Sequence, residues 1–577
     1  MLLVAVAVSP IVVAALSLVG DSWFPAGDWA SMLYRVSQVG TRETPLVGTY
    51  TVKGWAHPGP LLFWLAAPLY HLTGSDPRSL EWTAALVNVG AVAALAAVAW
   101  RRGRWPLLVG TMLLVALLLH GFGPERVVDL WNPFLPLLPF LLTVFLVWDA
   151  ALGRRRALVE AAFPACLAAQ CHLAFAVLVG LLAVGLVAWM RWWPRLVGVG
   201  PEDAGAARSD ELPGPPWSRW FGAARWALGV AVVLWLAPLF DLLFDLHNPV
   251  NILRQTGVSA KVGPVEAVSL VGRYVRPDGP WLGGTEPERF LSVQGSGPLP
   301  LLVALAGLGL CLAVARRRRM VDVVALASLS LFLVLGAIPV ASQIVLPAYS
   351  YLTQWLKIVG GLVWFTVGWT GWRVAEPAIR AVPVRRYAAG AVAGVALVAA
   401  AGWTWSHATT METPAPVESA LLQRLRSAID EDLPAGGRLR VEIRGDIFGH
   451  FRGAIYYLIR DGYDVTTSDG DDGLKWGHSH RWTKGEPVDR VLTIAVSYDG
   501  AAEDAYQDCE QAPGSELITG VDDLAAVDRA WLEDMQLRRL GDPDSVTEAE
   551  IRRADVLTRD TVRIGVFAAP RVCSRQD

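Results

Sequence analysis

Asp28 stands in the segment GDWASMLYRV, seven residues before Arg35, and in a helix that spacing puts both charges on one face with Met32. An aspartate held beside a low-dielectric medium can take a proton from an incoming hydroxyl when its partners tune it. The same residue can instead cap a helix, for which aspartate is well suited. Lys53 and His57 flank Gly54 and Trp55 just before HPGP. Such a pair can bind a phosphate or diphosphate through charge-assisted hydrogen bonds, or the lysine can snorkel to lipid headgroups. A second polar stretch, GFGPERVVDLWNPFLP, supplies Glu125, Arg126, Asp129 and Asn132, and a third, QCHL, supplies Gln170 and His172. Tyr349, Tyr351, Gln354 and Lys357 mark the start of a late apolar run, with Lys357 a little inside it. Together these side chains suit one kind of chemistry, in which an anionic headgroup is bound and a hydroxyl activated at a membrane face.

The elements that must position them are membrane spans. The chain has 577 residues, 53% of them hydrophobic, and 26 tryptophans, a composition far too apolar for an ordinary soluble enzyme. The expected fold class is therefore a polytopic α-helical membrane protein with about eleven spans: 1–19, 79–100, 105–121, 132–150, 157–171, 173–191, 225–244, 298–315, 320–341, 354–374 and 387–405. The apolar stretch 59–74 is short and broken by Pro60 and Pro68, so it is expected to lie on the outer surface or re-enter rather than cross. On that count Arg101 to Arg104, Arg154 to Arg156, Arg191 to Arg195, Arg316 to Arg319 and Arg380 to Arg386 all face the cytoplasm, as the positive-inside rule asks. Residues 1–405 then form the membrane domain, with an outer loop at 21–78, a cytoplasmic linker at 194–225 and a second outer loop at 245–297.

Beyond Trp405 the composition turns soluble and charged. RLRVEIRG, YDVTT, RVLTIAVS and TVRIGVFAAP read as strands, GHFRGAIYYLIRDG as a helix, and 522–541 as a further helix, giving an extracytoplasmic α/β domain over 406–577. The net charge of −3 says nothing by itself about nucleic acid, and since no basic patch with interleaved aromatics occurs, no nucleic-acid partner is expected. Cys166, Cys171 and Cys311 read as small core residues, while Cys509 and Cys573 share the outer domain and could pair. SDGDDG at 468–473 and the histidines His450, His478 and His480 superficially suggest a metal, but Leu474 stands where the EF-hand template needs glycine. GDIFGH lacks the dinucleotide spacing.

An aspartate in the first outer loop, a His-Pro before a short apolar helix, a second loop ending in Asn-Pro and a soluble outer domain together resemble the C-type membrane glycosyltransferases, including the protein O-mannosyltransferases and the lipid A aminoarabinose transferase. The likeness is carried by GDWA, PLVGTYTVKGWAHPGPLLFWLAAPLYHLTG and WNPFLPLLPFLL; it covers the membrane half and extends to the outer domain by position. HPGP departs from the family's HPP by Gly59, and Trp29 follows Asp28 where the family often has a second acid. The resemblance implies that Asp28 is the base of an inverting transfer from a polyprenyl-phosphate sugar to a glycan, lipid or protein acceptor. It further implies that Lys53 and His57, with Arg35 and Lys357, serve the donor phosphate. Glu125 and Asp129 would place the acceptor or, in some members, a divalent cation, and Asn132 and His172 would help position the acceptor; the metal ligands are otherwise unknown and no other cofactor is implied. The expected location is the cytoplasmic membrane. A flippase of lipid-linked saccharides would instead want ionisable groups at mid-span depth, and a non-catalytic envelope assembly protein would tolerate loss of Asp28.

Overall fold

The computed structural model describes the chain apart from Asp21, 52–54, 198–217, 245–247, 249, 253, 255–259, 284–291, 382, 410, 412, 434–436, 447–448, 468–475, 477–479, 481, 484–485, 499–504, most of 523–561, 570–571 and 573–577. The expected sites at Lys53, 468–473, His478 and Cys573 lie outside the described residues, as do most of the linker and of the helix expected at 522–541.

The chain divides into two compact units, Met1–Gly20 with Pro45–Glu412, and Asp21–Thr44 with Thr413–Asp577. The stretch 21–78, expected from the sequence as one outer loop of the membrane half, is split between them at Thr44. Residues 23–37 carry Trp23, Trp29, Met32, Leu33, Tyr34 and Val36, all six buried, and Trp23 and Phe24 bond Pro414 and Ser419 of the C-terminal stretch.

The first unit is helical. Its elements are α1 (Leu2–Ser17), α3 (Leu61–Leu72), α4 (Ser79–Phe122), α5 (Pro124–Val127), α6 (Leu137–Ala151), α7 (Arg156–Cys171), α8 (Leu173–Val197), α9 (Ser218–Leu234), α10 (Leu236–Phe244), α11 (Gly263–Tyr274), α12 (Leu299–Arg317), α13 (Val321–Ser342), α14 (Ser350–Thr353), α15 (Trp355–Arg380) and α16 (Pro383–Ala408). Among the described residues five helices are long and apolar enough to cross a membrane, or six when α9 and the following helix, bent by 58°, count as one span. Fewer than eleven qualify because several expected spans form short or broken helices. α4 joins two of them across Arg104 (φ 53°, ψ −142°), and α6 has 15 residues. α6 is apolar apart from Thr143 and Asp149 and every one of its residues is buried, which places it in this unit's core. α3 has 12 residues, about 18 Å of helix against about 30 Å of hydrocarbon, so it is too short to cross.

One end of these helices is basic. The fully buried Asp149 carboxylate binds Arg102, Arg101 (3.2 Å) and Arg154 (3.3 Å), and Arg154 also grips Glu160 at 2.5 Å. Trp148 Nε1 donates to the Asp322 carbonyl at 2.9 Å and Arg373 pairs with the Asp322 carboxylate, so the arginines after α12 and in the last turns of α15 belong to this same end.

The second unit holds α2 (Gly27–Ser37), α17 (Pro416–Asp432), β1 (Arg438–Arg444), α18 (Gly453–Arg460), β2 (Asp464–Thr466), β3 (Arg490–Tyr498), α19 (Ala505–Glu510), β4 (Glu516–Asp522) and β5 (Val562–Ala569). The sheet order is β2-β1-β3-β5-β4, with β1 parallel to both β2 and β3, and β5 antiparallel to both β3 and β4. β4, whose ELITGVD mixes apolar and polar residues without clean alternation, is a strand the sequence reading missed. Ala495, Ala505, Cys509 and Phe567 form a core under α19, and Cys509 is disulfide-bonded.

Candidate active site

In the first unit the polar segment before α3 forms a small hairpin. Gly48 N–H donates to the His57 carbonyl (2.9 Å), His57 N–H to Thr49 (2.9 Å) and Thr51 N–H to Trp55 (2.8 Å). The hairpin is held from outside by an asparagine that sequence reasoning missed: Ala56 N–H donates to Asn248 Oδ1 (2.7 Å) and Asn248 Nδ2 to the Ala56 carbonyl (3.1 Å). A second clamp is Gln170, fully buried at the end of α7. Its backbone carbonyl accepts Gly59 N–H at 3.3 Å, its Oε1 accepts Leu61 N–H at 3.4 Å, and its Nε2 donates to Leu234 at 2.8 Å. A Cβ on residue 59 would lie 2.2 Å from Gln170 Oε1, so any larger residue there would push the Gln170 side chain from its place.

These clamps present His57. Its ring stacks on His172 at 4.7 Å and meets Trp55 edge-on at 5.0 Å. Burial, followed by the neighbouring His172, drives the His57 pKa well below its ordinary value, and burial lowers that of His172 to about 4. Both rings are therefore neutral near pH 7. His57 Nδ1 is buried and has no hydrogen-bond partner, an expensive state for a polar atom unless a ligand supplies the partner.

The stretch after α4 lies at the end of the helices opposite the arginines, because α4 doubles back at Arg104. Asn88 Nδ2 donates to the Val127 carbonyl at 2.6 Å, tying this stretch to the beginning of α4. There Arg78 and Glu81, both 3% exposed, form a 2.8 Å ion pair that sequence reasoning missed; the i, i+3 spacing in RSLE was the available signal. Asp129 is 2% exposed and accepts Trp131 N–H at 2.8 Å, Asn132 is buried, and Glu125 pairs with Arg126 at 3.3 Å. Lys357 is fully buried and donates to the Gly121 carbonyl, with Phe122 beneath its ammonium at 5.9 Å. Among the described residues no group of three or more His, Cys, Asp or Glu side chains is arranged to hold a metal ion.

Asp28 and Arg35 belong to the second unit. The N-cap of α2 is Ala26, which makes no side-chain cap bond, and Asp28 sits inside the first turn, so the capping role does not describe it. There its charge suits the positive end of the helix dipole. Met32 is buried, and the more open face of α2 is Asp28, Ser31 and Arg35. The segment is held by Trp23 Nε1 on the Pro414 carbonyl (3.2 Å), by Phe24 N–H on Ser419 Oγ (2.8 Å), and by Tyr34 edge-on to Trp476 (5.3 Å) and His480 (5.6 Å).

No family model and no curated protein sequence matches this chain. Among solved structures it is similar to ArnT from Cupriavidus metallidurans bound to undecaprenyl phosphate, with 14% sequence identity over 90% of this chain and 95% of that one and a TM-score of 0.52. The apo state of the same protein gives 14% identity, the same coverage and a TM-score of 0.50. At this identity the likeness is one of fold.

Proposed function

We propose that this chain is a membrane glycosyltransferase that moves a sugar from a polyprenyl-phosphate donor to the hydroxyl of an extracytoplasmic glycan, lipid or protein acceptor. The observation that carries the reading is the fold shared, over nearly the whole of both chains, with a protein captured on undecaprenyl phosphate. The unpartnered His57 Nδ1 and the neutral His57–His172 stack support it, since a buried neutral imidazole offers a phosphate or sugar oxygen a hydrogen bond without a charge. Cys509 in a disulfide supports an oxidising compartment for the C-terminal unit and hence a site outside the cytoplasmic membrane.

In this reading Asp28 accepts the acceptor's O–H proton as that oxygen attacks the anomeric carbon from the face opposite the leaving group. The new C–O bond forms, the C–O bond to the lipid phosphate breaks with its electron pair leaving on the phosphate, and configuration inverts. Lys53, His57 and Arg35 act on the donor phosphate. Lys357, whose ammonium also donates to the Gly121 carbonyl, acts on it too. Glu125, Asp129, Asn132 and His172 shape the acceptor side. No step is routed through a divalent cation, for which the described residues provide no ligand set.

The test is a glycan and lipid-extract profile of a deletion strain, followed by transfer by the purified chain in nanodiscs from radiolabelled undecaprenyl-phosphate hexoses and pentoses to the glycan that changed. Loss of one sugar residue in the strain and its restoration in vitro are expected. An unchanged glycan together with accumulated lipid-linked sugar on the inner leaflet would replace the enzyme with a flippase.

A further inference from the structure

Sheets wired like this one leave a crevice at the carboxyl ends of their parallel strands, where successive connections diverge. β1 lies between β2 and β3, and its exit begins at Gly445–Asp446. The Asp446 carboxylate accepts the backbone N–H groups of His450 (2.9 Å) and Phe451 (2.8 Å), which turns the chain into the 3-10 turn His450–Arg452. His450 Nδ1 lies 3.0 Å from Glu418 Oε1 on α17. That contact holds the Glu418 carboxyl below its ordinary range, while burial raises the pKa of Asp446.

The first residue of α2 rests on this turn. A Cβ on Gly27 would stand 3.4 Å from the Gly449 carbonyl oxygen and 3.9 Å from His450 Cδ2, and Gly27 has φ +54°. The next residue is Asp28.

We propose that the exit turn of β1, with His450 braced by Glu418 and Asp446, is the seat that fixes the first turn of α2, which makes His450 and Glu418 positioning residues for Asp28. The catalytic part of this inference rests on the reading of Asp28 as base. A base works only within a fraction of an ångström of its productive place, and a displacement of about 1 Å costs on the order of 10²-fold in rate. The polar bonds to Pro414 and Ser419 lie three residues or more upstream of Gly27. At Gly27 itself the left-handed backbone and the glycine contact leave the turn little freedom to settle elsewhere. The C-terminal unit is thereby part of the catalytic apparatus and not an appendage.

Hydrogen–deuterium exchange on the full chain in nanodiscs tests the seat independently of any activity. His450→Ala and Gly27→Ala are each expected to speed exchange in the peptide 27–37 while leaving 61–72 unchanged, and His450→Gln, which keeps a donor for Glu418, should restore slow exchange. Unchanged exchange in 27–37 for both variants overturns the proposal. If His450→Ala also loosens β1 and β3, the domain has unfolded and Gly27→Ala decides. In the transfer assay His450→Ala and Glu418→Gln should lower kcat on the order of 10²-fold with the affinity for undecaprenyl phosphate, read by tryptophan fluorescence, within about twofold. Altered exchange with a wild type that transfers no sugar sinks the functional reading and leaves the seat standing. An active wild type with unaltered kcat in His450→Ala sinks the positioning role.

Discussion

A carboxylate in the first turn of a helix is stabilised by the dipole whether or not it does chemistry, so the substitution at Asp28 has to separate charge from hydrogen bonding. Asp28→Asn removes the base and keeps an isosteric side chain that, in the first turn and not at the cap, costs the helix no more than about 1 kcal/mol. Its turnover should fall roughly 10² to 10⁴-fold with folding retained; full transfer by the purified variant ends the assignment. His57 and His172 give a pH test whose sign follows from burial. Both folded-state pKa values lie below the ordinary 6.5, so the unfolded chain binds protons first. Stability from the pair is whole above pH about 6.5 and declines as pH falls toward about 4. His172→Phe keeps the stack and removes one titration, so the melting temperature of the variant should fall less steeply than wild type across that window; parallel curves would show that the pair does not govern it.

At the scale of elements, the sequence showed what was local and hid what was paired. The α3 helix, the strands β1, β2, β3 and β5, and the buried runs of α6 follow from periodicity and turn residues close by in the chain. Asn248, nearly two hundred residues from the hairpin it closes, has no local signature, and neither does the migration of α2 into the C-terminal unit, because its burial partners begin at Pro414. Lys357 was legible as an anomaly inside an apolar run, while its engagement by a backbone carbonyl was not. Gly59 looked like a departure from a motif and is explained by one contact. Gly59→Ala would drive a methyl into Gln170, an overpacking cost of about 1–3 kcal/mol. The double variant Gly59→Ala with Gln170→Ala should not regain full stability, because Leu61 N–H and the Leu234 carbonyl lose their partners at about 1–3 kcal/mol. A thermal melt of the three proteins decides: if Gly59→Ala melts with wild type, the clamp is not what fixes HPGP.

For the whole molecule the decisive question is which face of the membrane the basic end occupies. Arg101, Arg102 and Arg154 meet on one buried carboxylate, and Trp148 and Arg373 bring Asp322 to the same end. These clusters, scattered along the sequence, therefore share one side, and by the bias of membrane insertion the proposed orientation puts that side in the cytoplasm. α16 leaves this end just after Arg380 and runs 26 residues, about 39 Å, which exceeds the roughly 30 Å of hydrocarbon. In the proposed orientation its last residue emerges on the outer face, and the disulfide at Cys509 fits that compartment. Cys166, Cys171 and Cys311 are buried and contribute little background to thiol labelling. Ser406→Cys, at an exposed position near the end of α16, should react with a membrane-impermeant maleimide in intact cells, whereas Arg317→Cys, exposed in the last turn of α12, should react only after permeabilisation. Labelling of Arg317→Cys in intact cells with protection of Ser406→Cys would turn the molecule over. Asp28 and the C-terminal unit would then lie in a reducing cytoplasm that supplies nucleotide sugars, and the reason for a polyprenyl-phosphate donor would be gone.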